Sequence, residues 1–152
     1  MPQTNEKNTR FMRLALSLAE EAGQAGDVPV GCVVVKDGAV IGRGQNRRER
    51  DKSALGHAEL EAIEQAARAL GDWRLDGCEL YVTLEPCPMC AGAILNARVG
   101  TLVYGAPEPQ TGVCGSVLDL FAEDFPHHPA VYAGVLQDDC VDVMQRFFKD
   151  RR

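Results

Sequence analysis

Glu79-Leu80-Tyr81-Val82-Thr83-Leu84-Glu85-Pro86-Cys87-Pro88-Met89-Cys90-Ala91-Gly92-Ala93-Ile94-Leu95-Asn96-Ala97 passes from strand to helix in its middle, and it carries two thiols at the crossing. Residues 79–84 read as a short strand, and residues 91–97 continue a helix whose start suits Pro86 and Pro88, where no N–H is missed. Cysteines three apart at a helix start sit about 60° from each other on one face, close enough to chelate one ion. The unpaired N–H groups and positive dipole end of such a terminus favour the thiolate that binds metal. His57, in His57-Ala58-Glu59, is the natural third ligand. A zinc held by three protein ligands keeps its fourth position for water, as catalytic zinc does.

Glu59 is then the spare base. Positions two apart on a helix project roughly 200° from each other, so His57 and Glu59 cannot both face the metal from mid-helix. The reading that reconciles them puts both in the first turn of a helix over 57–70, where His57 can deviate and Glu59 can reach inward. Alone, C-x-x-C is as often a redox pair or half of a structural zinc knuckle, and a single His is usually only a surface His. The joint pattern is far more specific.

Working outward, Phe11, Leu14, Ala15, Leu18 and Ala22 form the stripe of an amphipathic helix, with Asn8 or Thr9 as cap and Gly23 and Gly26 near its end. Residues 28–35 and 39–41 flank Asp37-Gly38 as a hairpin, and the continuously apolar first arm implies a strand covered on both faces. Residues 45–54 are polar and read as a loop, with Asn46 near its start. The helix over 57–70 ends at Gly71. A strand over 100–104, a Pro- and Gly-rich loop over 107–112 and a last edge strand over 131–136 follow. A closing helix carries Val141, Met144, Phe147 and Phe148. This alternation predicts an α/β protein with a mixed five-stranded sheet between helix layers, both metal half-sites at helix amino termini, and a single domain over 1–152.

At 152 residues, 45% hydrophobic and 25% charged, the chain can bury a full core, which excludes general disorder. Residues 1–10 lack a leader-like apolar segment and no run of eighteen apolar residues occurs, so a cytoplasmic protein without membrane contact is expected. A reducing compartment argues against disulfides among the six cysteines, leaving Cys32 and Cys78 as core fillers and Cys114 and Cys140 unassigned. The net charge of −6 argues against a nucleic-acid partner, but its distribution does not. No Lys or Arg falls between Arg98 and Arg146; the basic residues gather in Arg43, Arg47, Arg48, Arg50 and Lys52 and in Arg146, Lys149, Arg151 and Arg152. Two such patches can flank the metal and steer a phosphate backbone, or be solvated loops.

His57-Ala58-Glu59 with Pro86-Cys87-Pro88-Met89-Cys90 matches the H-x-E…P-C-x-x-C pattern of zinc deaminases. The chain resembles the bacterial tRNA-specific adenosine deaminases along nearly its whole length. The resemblance is carried by Val28-Pro29-Val30-Gly31, Asn46-Arg47, His57-Ala58-Glu59, residues 80–93, Thr111-Gly112, Gly115-Ser116 and Phe147-Phe148. It implies a cytidine-deaminase-like three-layer α/β/α sandwich, one Zn2+ per subunit, a homodimer, and conversion of the wobble adenosine of a tRNA anticodon stem-loop to inosine. It further implies that Asn46 contacts the flipped nucleoside, that Ala58 and Glu59 face the base, and that Pro29, Val30 and Leu84 line the pocket. Phe148, beside the terminal basic residues, is a candidate for stacking on a base.

Such chemistry uses every part: a water activated near neutral pH, and a carboxylate that is not a ligand to carry its proton to the ring and on to departing ammonia. Peptide hydrolysis would call for H-E-x-x-H, which is absent. In the loop after the fourth strand, Pro107-Glu108 and Gln110 stand where relatives often carry Arg-Asp and Lys; Glu108 is the candidate contact there. That departure keeps open deamination of a free base or nucleoside (guanine, cytosine or adenosine). A zinc-stabilised binding module would need a fourth protein ligand and would leave Glu59 idle.

Overall fold

In a computed structural model, which describes residues 5–151, the chain opens on Asn5. Its side chain accepts the Asn8 N–H at 2.7 Å and caps α1 (Glu6–Gln24). The helix therefore starts before the Asn8 or Thr9 cap expected from sequence, on a residue type equally suited to the post. Asn8 instead lies buried on the helix, where it accepts the Tyr81 hydroxyl at 3.0 Å. The apolar stripe is also rotated: Phe11, Met12, Ala15, Leu16, Ala19 and Ala22 are buried, whereas Leu14 is exposed. Residues 1–4 and Arg152, the last of the terminal basic cluster, lie outside the described residues.

The expected first strand begins late. Val30 N–H folds back to the Val28 carbonyl at 2.9 Å, a tight turn around Pro29, and β1 runs only over Gly31–Lys36. Asp37 and Gly38 both take positive φ, 50° and 80°. A two-residue hairpin turn requires this of its central pair. The return strand β2 (Ala39–Gln45) is longer than its apolar start suggested, because Gly42, Arg43, Gly44 and Gln45 also pair with β1. Then come α2 (Ala58–Leu70), β3 (Cys78–Leu84), α3 (Pro88–Asn96), β4 (Thr101–Ala106), a 3-10 turn (Leu120–Ala122), β5 (Ala130–Ala133) and α4 (Gln137–Asp150). β5 stops short of the expected 136 because Gly134 and Leu136 turn into the left-handed region, φ 83° and 52°, to start α4.

The sheet order is β2-β1-β3-β4-β5. β1 is antiparallel to β2 and β3, and β3, β4 and β5 run parallel, so the five-stranded sheet is mixed. Alternate residues feed opposite faces. Cys32, Val34, Leu80, Val82 and Leu102 pack with α2 and α3, while Val33, Val35, Tyr81 and Val103 pack with α1 and α4. The result is the expected α/β/α sandwich, with Cys32 and Cys78 in the core as read.

Two features of this fold place chemistry. The parallel pair β3–β4 delivers the chain to α3 and to the loop after β4 at the same sheet end, where α/β sheets receive ligands. Gly44 lets α2 lie directly on β2, since a methyl group there would meet Ala62 N at 2.8 Å and Glu61 Cβ at 3.0 Å. No described helix is long and apolar enough to cross a membrane.

Candidate active site

His57 is the N-cap residue of α2 and Cys87 that of α3; both have extended backbone, and neither side chain makes a capping hydrogen bond. Each is turned toward the other. His57 Nδ1 lies 3.7 Å from Cys87 Sγ and 3.4 Å from Cys90 Sγ. Tetrahedral bonds of about 2.3 Å to sulfur and about 2.0–2.1 Å to nitrogen set sulfur–nitrogen edges of roughly 3.6 Å, which both separations approach. They form the metal-capable group found among the described residues.

Their protonation points the same way. The hydrogen bond from Cys90 pulls the Cys87 thiol down to about 4, against the cost of burial and with His57 assisting. Cys90 is pushed up, first by its bond to the Cys87 sulfur and then by burial. One thiol thus ionises readily and the second resists while its neighbour is a thiolate, and a dication removes that conflict. Glu59, in the first turn of α2, is buried and hydrogen-bonds with Cys90. Burial pushes its carboxyl up to about 7, with its own N–H and the His57 charge pulling the other way. Desolvation always acts in this direction on a carboxyl, because it penalises the charged form.

These groups floor a cavity of about 140 Å³. Val28, Val30, Ala58 and Leu84 give it apolar walls, and Asn46, Arg48, Glu85 and Thr111 give it polar ones. That is below the ~300–1,000 Å³ of pockets that engulf a drug-sized ligand, and suits one planar ring with the rest of its molecule outside. Asn46 is fixed in place: its amide donates to the Val28 carbonyl at 3.1 Å and accepts the Arg48 N–H at 3.0 Å.

Each rim of the cavity is tied down by a buried carboxylate. Asp27, fully buried, accepts the Glu49 N–H at 2.7 Å and Arg50 Nε at 2.6 Å, holding the loop over 46–57. Glu85 holds the loop over 107–116. Burial raises the pKa of both carboxyls, but their hydrogen bonds prevail and keep each below the usual carboxylate range. Donors aimed at the charged form have this effect.

The family model of the MafB19-like deaminases matches residues 6–152. The chain is 43% identical over 143 residues to a tRNA-specific adenosine deaminase of Bacillus subtilis, covering 93% of this chain and 89% of that one. The chain belongs to the tRNA-specific adenosine deaminase family.

A solved structure from studies of A-to-I editing by tRNA:A34 deaminases at the wobble position of transfer RNA superposes on this family member with a TM-score of 0.85. The two are 45% identical, and the match covers 89% of this chain and 99% of the other. A guanine deaminase of Bacillus subtilis is 33% identical with a TM-score of 0.64, covering 96% and 95% of the two chains.

In this family member the structure brings His57, Glu59, Cys87, Asn46, Ala58, Val30 and Leu84 to the cavity wall, with Cys90 buried directly behind. Pro29 points away, into a groove shared with Glu20, Phe147 and Arg151. Glu108 uses its carboxylate on the Gln110 N–H at 2.9 Å and does not line the cavity, nor does Phe148, which is exposed on α4. Val28, Glu85 and Thr111 are lining residues that sequence reasoning does not assign to the pocket, and Asp27 escapes it too; Arg48, expected only in a basic patch flanking the metal, stands on the cavity wall itself. Glu85 and Asp27 do leave a trace: each is a lone acidic residue against an apolar stretch, a position tolerated only when the charge is paired.

The basic patches are partly spent within the chain. Arg47 pairs with Glu61 at 2.9 Å, Arg50 with Asp27, and Arg146 with Asp142 at 2.8 Å. Among the described residues Arg48 pairs with the exposed Glu49, at 3.6 Å.

Proposed function

We propose that this chain is a zinc-dependent deaminase that converts the wobble adenosine of a tRNA anticodon stem-loop to inosine, with water consumed and ammonia released. The carrying observation is the convergence of His57, Cys87 and Cys90 beneath a base-sized cavity, with a buried carboxylate, Glu59, left outside the ligand set. Full-length likeness to tRNA-specific adenosine deaminases supports the substrate. Such an enzyme takes its base out of the stack into a pocket, which suits a cavity with room for one ring.

His57, Cys87 and Cys90 would hold a zinc ion, which when bound would supply a water with its pKa brought near neutrality. Glu59 is placed to take one proton from the attacking water and hand it to N1 of the purine, and then to move the second, from the hydroxyl added at C6, to the amino group, which leaves as ammonia. Burial pushes its carboxyl up from the ordinary range, the direction that favours proton uptake by a group outside the ligand set. Val28, Val30, Ala58 and Leu84 exclude water around the ring, and Asn46 presents a fixed amide to the nucleoside. Pro29, Glu108 and Phe148 belong to the outer surface, available to flanking nucleotides. The deaminase domain spans 1–152 and works as a homodimer in the cytoplasm. All six cysteines are free, as a reducing compartment would leave them.

The test is incubation of zinc-loaded protein with an anticodon stem-loop bearing adenosine at the wobble position, and separately with free adenosine, guanine and cytosine, reading inosine and ammonia. Inosine at the wobble position alone is expected. Turnover of a free base with the stem-loop untouched would overturn the RNA substrate while keeping the chemistry.

A further inference from the structure

The junction that carries Cys87 also carries a carboxylate that the proton transfers above do not use. Glu85 is 2% exposed, and its two oxygens take four hydrogen bonds. Oε1 accepts from the Glu108 N–H at 3.0 Å and from the Ser116 hydroxyl. Oε2 accepts from the Cys114 N–H at 2.9 Å and the Ser116 N–H at 3.1 Å. All four donors lie on one loop, the one that follows β4.

That loop is also moulded to the carboxylate sterically. A methyl group on Gly112 would fall inside the Glu85 carboxyl and within 2.6 Å of the Glu108 carbonyl. Thr111, next to it, lines the catalytic cavity. Around the same loop, Val113 N–H reaches the Pro86 carbonyl at 3.1 Å, and the Tyr104 hydroxyl reaches the Cys114 carbonyl at 3.3 Å. The three backbone N–H groups aimed at Glu85 form a nest that only an acceptor can fill.

We propose that Glu85 is a positioning residue: through residues 108–116 it sets the cavity wall that carries Thr111, and so determines how tightly the extruded nucleoside is held. The carboxylate is required for its chemistry and not only its shape. An amide in its place would turn one NH2 group toward N–H donors that need an acceptor, leaving buried donors unpaired. The effect falls on binding, because Glu59 and the metal-capable residues are held on, or at the start of, α2 and α3, and the loop's tie to that frame, the Val113 N–H on the Pro86 carbonyl, is left in place by Glu85→Gln.

The assay of substrate affinity rests on the proposed deamination; a second readout does not. Full-length zinc-loaded wild type, Glu85→Gln and Ser116→Ala are compared for zinc content, for hydrogen exchange at the Cys114 and Ser116 amides, and for kcat and KM on the stem-loop. Glu85→Gln is expected to keep its zinc, to speed exchange at both amides by about tenfold or more, and to raise KM by about tenfold, with kcat within about twofold. Ser116→Ala, which removes one donor and disturbs the fold least, should raise KM by roughly threefold. Faster exchange with KM unchanged would overturn the proposal, and so would a fall in kcat at constant KM. Failure of the wild type to deaminate the stem-loop would instead sink the substrate reading, while unchanged exchange in Glu85→Gln would sink this one.

Discussion

His57 and Cys87 hold the same post in two different helices: each is an N-cap residue, and the imidazole Nδ1 of one lies 3.7 Å from the sulfur of the other. An N-cap side chain usually satisfies an orphan N–H of its own helix. Here the two side chains instead turn toward each other and meet between the helices, so two positive dipole ends converge where thiolates must form. The metal site is therefore also a joint between α2 and α3. Cys87→Ser or Cys90→Ser is expected to lose zinc and turnover together. Chelation of the wild type should lower its melting temperature, since a ligand at a thousand times its Kd stabilises a fold by about 4 kcal/mol. Metal analysis alongside thermal unfolding checks both; a Tm unmoved by chelation would mean that the joint holds without the ion.

Glu59→Ala separates chemistry from binding. The variant is expected to retain stoichiometric zinc and to lose at least about 10²–10⁴-fold in turnover, the usual worth of a positioned acid–base group. Loss of zinc in that variant would make Glu59 a ligand and take away its role as the proton carrier.

The ligand set was legible because sulfur and imidazole are chosen for their chemistry and their spacing is written in the chain. The sheet followed from apolar runs that alternate with helices. What stayed hidden shares one cause: the partner is backbone. Glu85 and Asp27 bind N–H groups on distant loops, and no residue type advertises an N–H. The start of β1 was misplaced for a related reason. Val28-Pro29-Val30 has the composition of a strand, but the turn that carries Val30 N–H to the Val28 carbonyl is a backbone event. Asn5 caps α1 in place of Asn8, whose oxygen instead faces the hydroxyl of Tyr81, remote in sequence.

Asp27 predicts an acid-side stability change. Its folded pKa lies below its ordinary value, which for an aspartate is near ~3.9. The stability it contributes is therefore present above that value and is lost as pH falls through the folded pKa. Asp27→Asn keeps an oxygen for the Glu49 N–H but loses the charge and the acceptor that hold Arg50, and is expected to cost about 1–3 kcal/mol at neutral pH. It should also flatten the decline of unfolding free energy below about pH 4. Denaturant melts from neutral to strongly acidic pH read both; an unchanged acid slope would show that other carboxylates carry it.

Gly44→Ala tests the seat of α2. The added methyl would press on Ala62 N and Glu61 Cβ, at the turn that bears His57 and Glu59. A cost of about 1–3 kcal/mol in stability is expected. Turnover should fall by up to ~100-fold from a displacement of about 1 Å, even though the position touches no substrate. A loss in stability with none in kcat at low temperature would show that the helix end adjusts freely.

Arg48 is the remaining cationic question. It is the one basic side chain on the cavity wall among the described residues, and its partner Glu49 lies 3.6 Å away on the exposed surface. Such a pair can be released at little cost. Arg47 and Arg50 are instead committed to Glu61 and Asp27. A phosphate flanking an extruded nucleoside therefore has Arg48 to meet at the mouth of the cavity. Arg48→Ala should weaken binding of the stem-loop and reduce the slope of log affinity against log salt by about one, the signature of one lost phosphate contact. Turnover of saturating substrate should be preserved, because Arg48 does not reach the proton path. A salt slope that stays put while affinity falls would assign the Arg48 side chain to packing of the 46–57 loop and leave the phosphate to be met by another residue.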